Sequence, residues 1–144
     1  MKKVLLILAA AALLLTACES DKPDLSPLEL YERISDEVEL PIMVDIDEDR
    51  LGDYHVSPDD AVSFVAKEAA ISAIFVQLII IEAKEGKASE VQSAMREHQS
   101  QLKDDAFYPQ GREAAAASIV GTRGSVVYLI CIENAQEIEN IIKG

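Results

Sequence analysis

The feature that most constrains the fold is an almost unbroken apolar segment from Ile74 to Ala83. Aliphatic and β-branched residues fill most of its positions, so both faces of a strand formed here would be apolar. The segment is too short to cross a bilayer, because a membrane-spanning helix needs about 20 residues. It therefore predicts a central strand of a sheet, covered by other elements on both faces or nearly so.

A second apolar strand is predicted near the C-terminus, from Ser125 to Glu133. Arg123-Gly124 precedes it and is typical of a tight hairpin turn, since glycine adopts positive φ angles without strain. The turn would join this strand to another strand over residues 117–122. Together with a β-branched segment at 62–67, the sequence predicts four strands, and the short turns between neighbours make the sheet mainly antiparallel.

Three helices are predicted to pack on this sheet. Ser26-Pro27-Leu28-Glu29 is a capping box with proline at the first helical position, and it starts a helix that runs to about Leu40. A long polar helix should extend from Ala88 to about Asp105, and Asn134 should start a closing helix. The predicted fold class is α+β, with a mainly antiparallel four-stranded sheet and helices packed on it.

The chain between the first helix and the first predicted strand is predicted to contain short local elements. Residues 42–46 read as a short extended connector, and residues 47–53 as one or two helical turns with acidic residues at their start. The capping signal at Ser57-Pro58 predicts only a brief turn. No repeat of the kind found in solenoid proteins is expected.

The N-terminus has the three parts of a bacterial secretion signal. Lys2 and Lys3 carry positive charge, an apolar run extends from Val4 to Leu15, and small residues precede Cys18. As a helix the apolar run would span about 18 Å, well short of the roughly 30 Å hydrocarbon core of a bilayer. We therefore expect residues 1–17 to be a cleaved signal peptide and not a permanent membrane helix.

The segment Leu15-Thr16-Ala17-Cys18 is similar to the lipobox of bacterial lipoproteins, in which the cysteine thiol is acylated before cleavage. Two or three acyl chains hold a protein on a bilayer durably, so lipid on Cys18 would be the attachment to the cell membrane. Residues 18–25 would then be a short lipidated tether, and residues 26–144 a single domain outside the cytoplasm. The alternative is an ordinary signal peptide cut nearby, with Cys18 incidental.

Charge and cysteine content narrow the range of partners. The chain has 26 acidic and 13 basic residues and a formal net charge of −13. Nucleic acid phosphates and anionic lipid head groups repel such a surface, so neither is an expected ligand. The second cysteine, Cys131, lies in an apolar strand and has no disulfide partner if Cys18 is lipidated, so it is expected to be a buried small hydrophobic residue.

Several segments in order resemble a known family. They are Leu28-Glu29-Leu30-Tyr31-Glu32, the run from Leu40 to Asp47, Lys84-Glu85-Gly86-Lys87 and Ser125-Val126-Val127-Tyr128. The pattern resembles the short lipoproteins of Gram-positive bacteria grouped as domain of unknown function 4358. The resemblance implies an exported, membrane-tethered single domain and supplies no reaction. It also implies that Arg96 and Phe107-Tyr108-Pro109 correspond to an arginine and a Tyr-x-Pro-like segment in the family.

Motifs for metals, cofactors and catalysis are incomplete in this sequence. Asp45, Asp47 and Asp49 alternate as in the first half of a calcium loop, but the glycine and the glutamate of the second half are missing. His55 and His98 have no zinc-binding spacing around them. Neither a glycine-rich phosphate loop nor a serine hydrolase motif is present, so no metal, cofactor or catalytic residue is expected.

Arg96, His98 and Tyr108 are the residues that could face a ligand. Arg96 and His98 lie on the long helix, where they could line a polar groove, although a solvated helix face is the alternative. The preferred hypothesis is a non-catalytic lipoprotein domain that binds a protein or a small ligand outside the membrane. An extracytoplasmic enzyme acting on cell-wall or peptide material, and a structural spacer, are the other hypotheses.

Overall fold

The computed structural model describes residues 25–71 and 75–144. One sheet lies at the centre of this part of the chain, and all its neighbouring strands pair antiparallel. Its strands are β1 Met43–Asp45, β2 Ala61–Ala69, β3 Gln77–Ala83, β4 Ile119–Arg123 and β5 Val126–Cys131. Their spatial order is β1-β2-β3-β5-β4, so β3 and β5 lie in the interior although α-helical chain separates them in sequence.

Helices cover both faces of the sheet. The α-helices are α1 Pro27–Glu37, α2 Ala88–Asp105, α3 Pro109–Ala117 and α4 Ala135–Lys143, and two 3₁₀ helices lie at Glu48–Tyr54 and Pro58–Asp60. α1 and α4 pack on one face, whereas α2, α3 and the first 3₁₀ helix pack on the other. The predicted α+β class is confirmed, with one layer of helices on each side.

The apolar segment at residues 74–83 forms β3 from Gln77 onward, and the residues of β3 alternate between the two faces of the sheet. Leu78 and Ile80 pack against α1 and α4, while Ile79 and Ile81 face α2, and all four are essentially inaccessible to solvent. β5 is buried in the same way along its whole length. The prediction of a central strand covered on both faces is therefore confirmed from Gln77 onward, and the predicted start at Ile74 lies outside the described residues.

The sheet has one strand more than the four predicted. Residues 43–45, predicted to be part of a connector, pair with the end of β2 in the register Val44↔Glu68. A strand of three residues carries too little alternation to be recognised locally, because what makes it a strand is its pairing with distant residues. The predicted extended conformation of this segment is confirmed, but its pairing with β2 was not predicted. The predicted helical turns that follow it are the first 3₁₀ helix.

α3 is a helix that the sequence analysis did not predict. It occupies residues 109–117, and β4 therefore starts at Ile119 and not at Ala117 as predicted. The helix is short and rich in alanine, so it has no apolar stripe to distinguish it. Proline at its first position, directly after Tyr108, and the high helix propensity of alanine were the available signals.

The start of α1 is as predicted, and its end is earlier. The backbone N–H of Glu29 donates to the Ser26 hydroxyl at 3.3 Å, and the Ser26 N–H donates to the Glu29 carboxylate at 2.8 Å, which completes the capping box. The helix ends at Glu37 because buried Val38 already has extended dihedral angles that lead the chain toward β1. The predicted end near Leu40 was three residues too late.

The predicted signal peptide, lipidated Cys18 and nearly all of the tether lie outside the described residues. They stay predictions from the sequence. Across residues 25–71 and 75–144, none of the helices combines the length and the hydropathy needed to traverse a bilayer.

Candidate functional site

A cleft opens at the end of the sheet where β3 begins and β5 ends, which we call the Gln77 end. Its volume is about 500 Å³, within the range of small-molecule sites in proteins. One wall is α3, and the other comes from the chain just before β3 and just after β5. The lining residues are Val76, Gln110, Glu113, Ala114, Ala117 and Glu133.

One face of α3 supplies most of this lining. Its four lining residues follow the spacing i, i+3, i+4, i+7, which places them on one side of a helix, whereas Gly111 and Ala115 face the interior and are buried. A Cβ at position 111 would come within 3.0 Å of the Phe75 ring, so glycine allows the helix to lie close to the chain that enters β3. The alanines give the cleft a small apolar floor with polar side chains beside it.

Two carboxylates line the cleft from opposite walls. Glu113 lies on α3, and Glu133 follows β5. Both residues are exposed, and within residues 25–71 and 75–144 neither makes a hydrogen bond or an ion pair. The cleft thus offers two acceptors, together with the Gln110 amide, to a ligand that carries N–H or O–H donors.

The three residues predicted to face a ligand lie in different surroundings. Arg96 is exposed and His98 is buried, because residues two apart on a helix point to different sides. Tyr108 is exposed and precedes α3, two residues before Gln110 of the cleft. None of the contacts between described residues joins the three side chains. Their role in ligand binding stays a prediction.

The buried side chain of His98 projects from α2 toward the start of β3. Its Nε2 is 2.8 Å from Oε1 of Gln77, and its ring meets the Tyr54 ring edge-on with 4.8 Å between centroids. Nδ1 is buried without a hydrogen-bond partner among the described residues. Burial, with a smaller effect from nearby His55, lowers the pKa of His98 to about 4, so the imidazole is neutral at pH 7.

A hydrogen-bonded group that the sequence did not predict fixes the first 3₁₀ helix to β2. The Tyr54 hydroxyl and the Arg50 guanidinium both donate to the Glu68 carboxylate, each at 2.6 Å. Burial tends to raise the pKa of Glu68, but these hydrogen bonds outweigh it and hold that pKa below its usual value. Glu68 lies opposite Gln77 across the sheet, and the Tyr54 ring contacts His98, so this group adjoins the His98–Gln77 pair. Its members are separated by up to 18 positions and form no motif in the sequence.

Cys131 and Asp45 both have interaction partners within the fold. The Cys131 thiol is buried and donates to the Phe75 carbonyl at 2.8 Å, and burial raises its pKa to about 11, as expected for an inert buried cysteine. Asp45 is paired with Lys67 at 2.5 Å. In the part of the chain that the structure describes, no three His, Cys, Asp or Glu residues cluster as metal ligands.

Comparison with known proteins places the chain in a family. Residues 36–132 match the family described as a domain of unknown function, DUF4358. This match spans all five strands together with α2 and α3. It includes every residue that lines the cleft except Glu133. Neither the curated proteins nor the solved structures contain a match. Since the matched region covers well over half of its length, the chain belongs to the DUF4358 family.

Proposed function

We propose that the protein is a lipoprotein anchored to the outer side of the cell membrane, and that its domain binds a ligand or a partner protein in the cleft beside α3. The anchor rests on the signal pattern that ends at Cys18. The binding role rests on one observation above all, the cleft of about 500 Å³ whose Glu113 and Glu133 have no partner among the described residues.

The direction of α1 supports this arrangement. Leu28 lies beside Phe64 of β2, and one helical turn later the Tyr31 ring lies under the Lys67 ammonium group, 4.7 Å away. α1 therefore runs toward the Gln77 end, since β2 also runs toward that end. The start of α1 therefore lies away from the Gln77 end of the sheet, where the cleft opens.

The anchor is tested by comparing the wild-type chain with Cys18→Ser in cells supplied with an alkyne analogue of palmitate. We expect the wild-type protein to carry the label and to sediment with membranes, and Cys18→Ser to be unlabelled and released. Cys131→Ser is the matched control and should keep both label and location, because its thiol is buried. A Cys18→Ser protein that is still labelled and membrane-bound would contradict the proposal.

The cleft is tested by photo-cross-linking on intact cells. A benzophenone amino acid replaces Gln110 in the cleft, and in the control it replaces Gln101, an exposed glutamine on α2. We expect a reproducible adduct from position 110 only, lost when Glu113→Gln and Glu133→Gln are added. The absence of any adduct, or the same adduct from both positions, would count against binding in the cleft.

Hydrolysis of cell-wall or peptide material is a second candidate function. The observation that favours it is the presence of two carboxylates in one cleft, because such a pair can divide the roles of general acid and general base. Incubation of the purified chain with peptidoglycan fragments distinguishes the two. Product release that Glu113→Gln abolishes would establish the enzyme, whereas binding without turnover supports the preferred function.

A further inference from the structure

β1 forms an outer edge of the sheet. Its even-numbered residues point their backbone groups toward β2, as shown by the hydrogen bonds from Ile46 N to Ala66 O and from Ala70 N to Ile42 O. In an antiparallel ladder these directions alternate, so the backbone N–H and C=O groups of Met43 and Asp45 point outward. A row of outward donors and acceptors of this kind can pair with another extended chain.

Apolar side chains are exposed along the same edge. Ile42 is 86 % exposed and Val44 is 45 % exposed, although both side chains are apolar and β-branched. Ile71, just after β2, and Leu28, on α1, are also more than half exposed. Of the large hydrophobic residues that the described chain exposes, most therefore lie at this one edge, which is the distribution expected of a contact surface.

A small groove adjoins the edge on the side of α1. Its volume is about 160 Å³, and it is lined by Leu28 and Tyr31 of α1 and by residues 45–46 and 64–67 of the sheet. β1 pairs with β2 only at residues 67–69, so the groove lies where β2 continues beyond its partner strand. In strand addition, the backbone provides affinity and such grooves accept alternate side chains of the added strand.

The charge beside this edge indicates the partner. The segment from Asp45 to Asp53 contains five acidic residues, of which Asp45 is paired with Lys67 and Asp53 with Arg50. Its other three acidic residues, at positions 47–49, have no ion pair among the described residues. A second copy of this chain, with its net charge of −13, would bring like charges together at the edge. A segment bearing lysine or arginine has the complementary charge.

We propose that an extended lysine- or arginine-bearing segment of another protein adds to β1 as a sixth strand. Its apolar side chains contact Ile42, Val44 and the groove, and its basic side chains lie beside the acidic segment 45–53. This inference rests on the proposed function only in taking the domain to be an interaction module. It involves neither the α3 cleft nor the lipid, so the Cys18 experiment can succeed or fail independently of it.

The test uses the full chain purified in detergent and two fluorescent peptides, acetyl-Lys-Val-Lys-Val-Lys-Val amide and its counterpart with glutamate in place of lysine. We expect the basic peptide to raise fluorescence anisotropy in a salt-sensitive manner and the acidic one to have no effect. Val44→Lys should weaken binding about tenfold, because a lysine on an edge strand repels the basic peptide. Phe107→Lys, the same kind of change at an exposed site outside this edge, should leave binding unchanged.

Circular dichroism of each variant separates loss of binding from loss of folding. We expect the Val44→Lys variant to fold, because Val44 is exposed. The proposal is overturned if the basic peptide fails to bind at millimolar concentration, if both peptides bind equally, or if Val44→Lys binds as wild type does. It is also overturned if sedimentation shows a dimer that Val44→Lys dissociates, since the occupant of the edge would then be a second copy.

Discussion

His98 is the buried ionisable residue whose surroundings are most specific. The Gln77 amide oxygen accepts a hydrogen bond from Nε2, and the Tyr54 ring closes the other side, so the neutral ring fits and the charged ring would lack a counter-ion. Val91, Met95 and His98 follow the spacing i, i+4, i+7 along the long helix, which places them on one side of it, and all three are buried. The distant partners Gln77 and Tyr54 could not be read from that spacing.

The depressed pKa of His98 predicts a pH dependence of stability. The unfolded chain takes up a proton near pH 6.5, whereas the folded chain resists protonation until about pH 4. The contribution of this residue to the free energy of unfolding is therefore fully present above pH 6.5 and is lost as the pH falls toward 4. Between these pH values the unfolded chain binds about one proton more than the folded chain. Urea unfolding of wild type and His98→Gln across this range measures the difference in slope.

His55→Gln is the control for this experiment, because His55 is exposed and nearby. It should keep most of the slope that His98→Gln removes. If wild type and His98→Gln lose stability in parallel between pH 6.5 and 4, the buried neutral state of His98 is contradicted.

At the scale of elements, the β4–β5 hairpin depends on one close approach. Tyr128 is fully buried, and its ring lies against Gly121 on the neighbouring strand while its hydroxyl donates to Glu139 of α4 at 3.0 Å. A Cβ at position 121 would overlap the phenol ring. The glycine thus lets one side chain connect β4, β5 and α4.

We expect Gly121→Ala to lower the free energy of unfolding by about 1–3 kcal/mol, since the Tyr128 ring must shift within a packed core. Gly52→Ala is the matched control, because a Cβ there meets no atom within 4 Å, and it should stay within about 0.5 kcal/mol of wild type. Urea denaturation followed by circular dichroism gives both values. Equal loss in the two variants would show that the close approach has no energetic role.

The elements that the sequence predicted correctly are those whose signal is local. The capping box at Ser26, the apolar run of β5 and the turn at Gly124 need only neighbouring residues, and all three are present in the structure. β1 depends on pairing with distant residues of β2, and the cleft depends on the position of α3. The cleft residues Glu113 and Glu133 are 20 positions apart and carry no motif, so their proximity could not be predicted from sequence.

For the whole molecule, the two helical layers differ in their relation to the family. The match at residues 36–132 includes α2 and α3 but excludes α4 and most of α1, which together cover the other face of the sheet. α4 contributes Ile138, Ile141 and Ile142 to that face, all buried. Burial of one isoleucine contributes about 1.5–3 kcal/mol, so these three approach the total stability of about 5–15 kcal/mol for a domain.

We therefore expect a chain that ends at Ile132 to be insoluble or aggregated, because β3 and β5 would expose one apolar face to water. Size-exclusion chromatography and the soluble fraction after expression measure this outcome. A chain that lacks only Gly144 is the control and should be as soluble as the full chain and elute at the same volume. Cooperative unfolding of the chain ending at Ile132 would mean that the domain is stable without α4.

The pairing of β3 with β5 also determines when the domain can form. Ile80 is opposite Tyr128, so more than 40 residues must be made between the two halves of the central ladder. During synthesis from the N-terminus, β3 pairs with β2 on one side while its other side waits for the last part of the chain. Contacts of such sequence separation slow folding and leave an apolar strand edge open to aggregation. We therefore expect the edge of β3 that pairs with β5 to be the part of the incomplete chain most prone to aggregation.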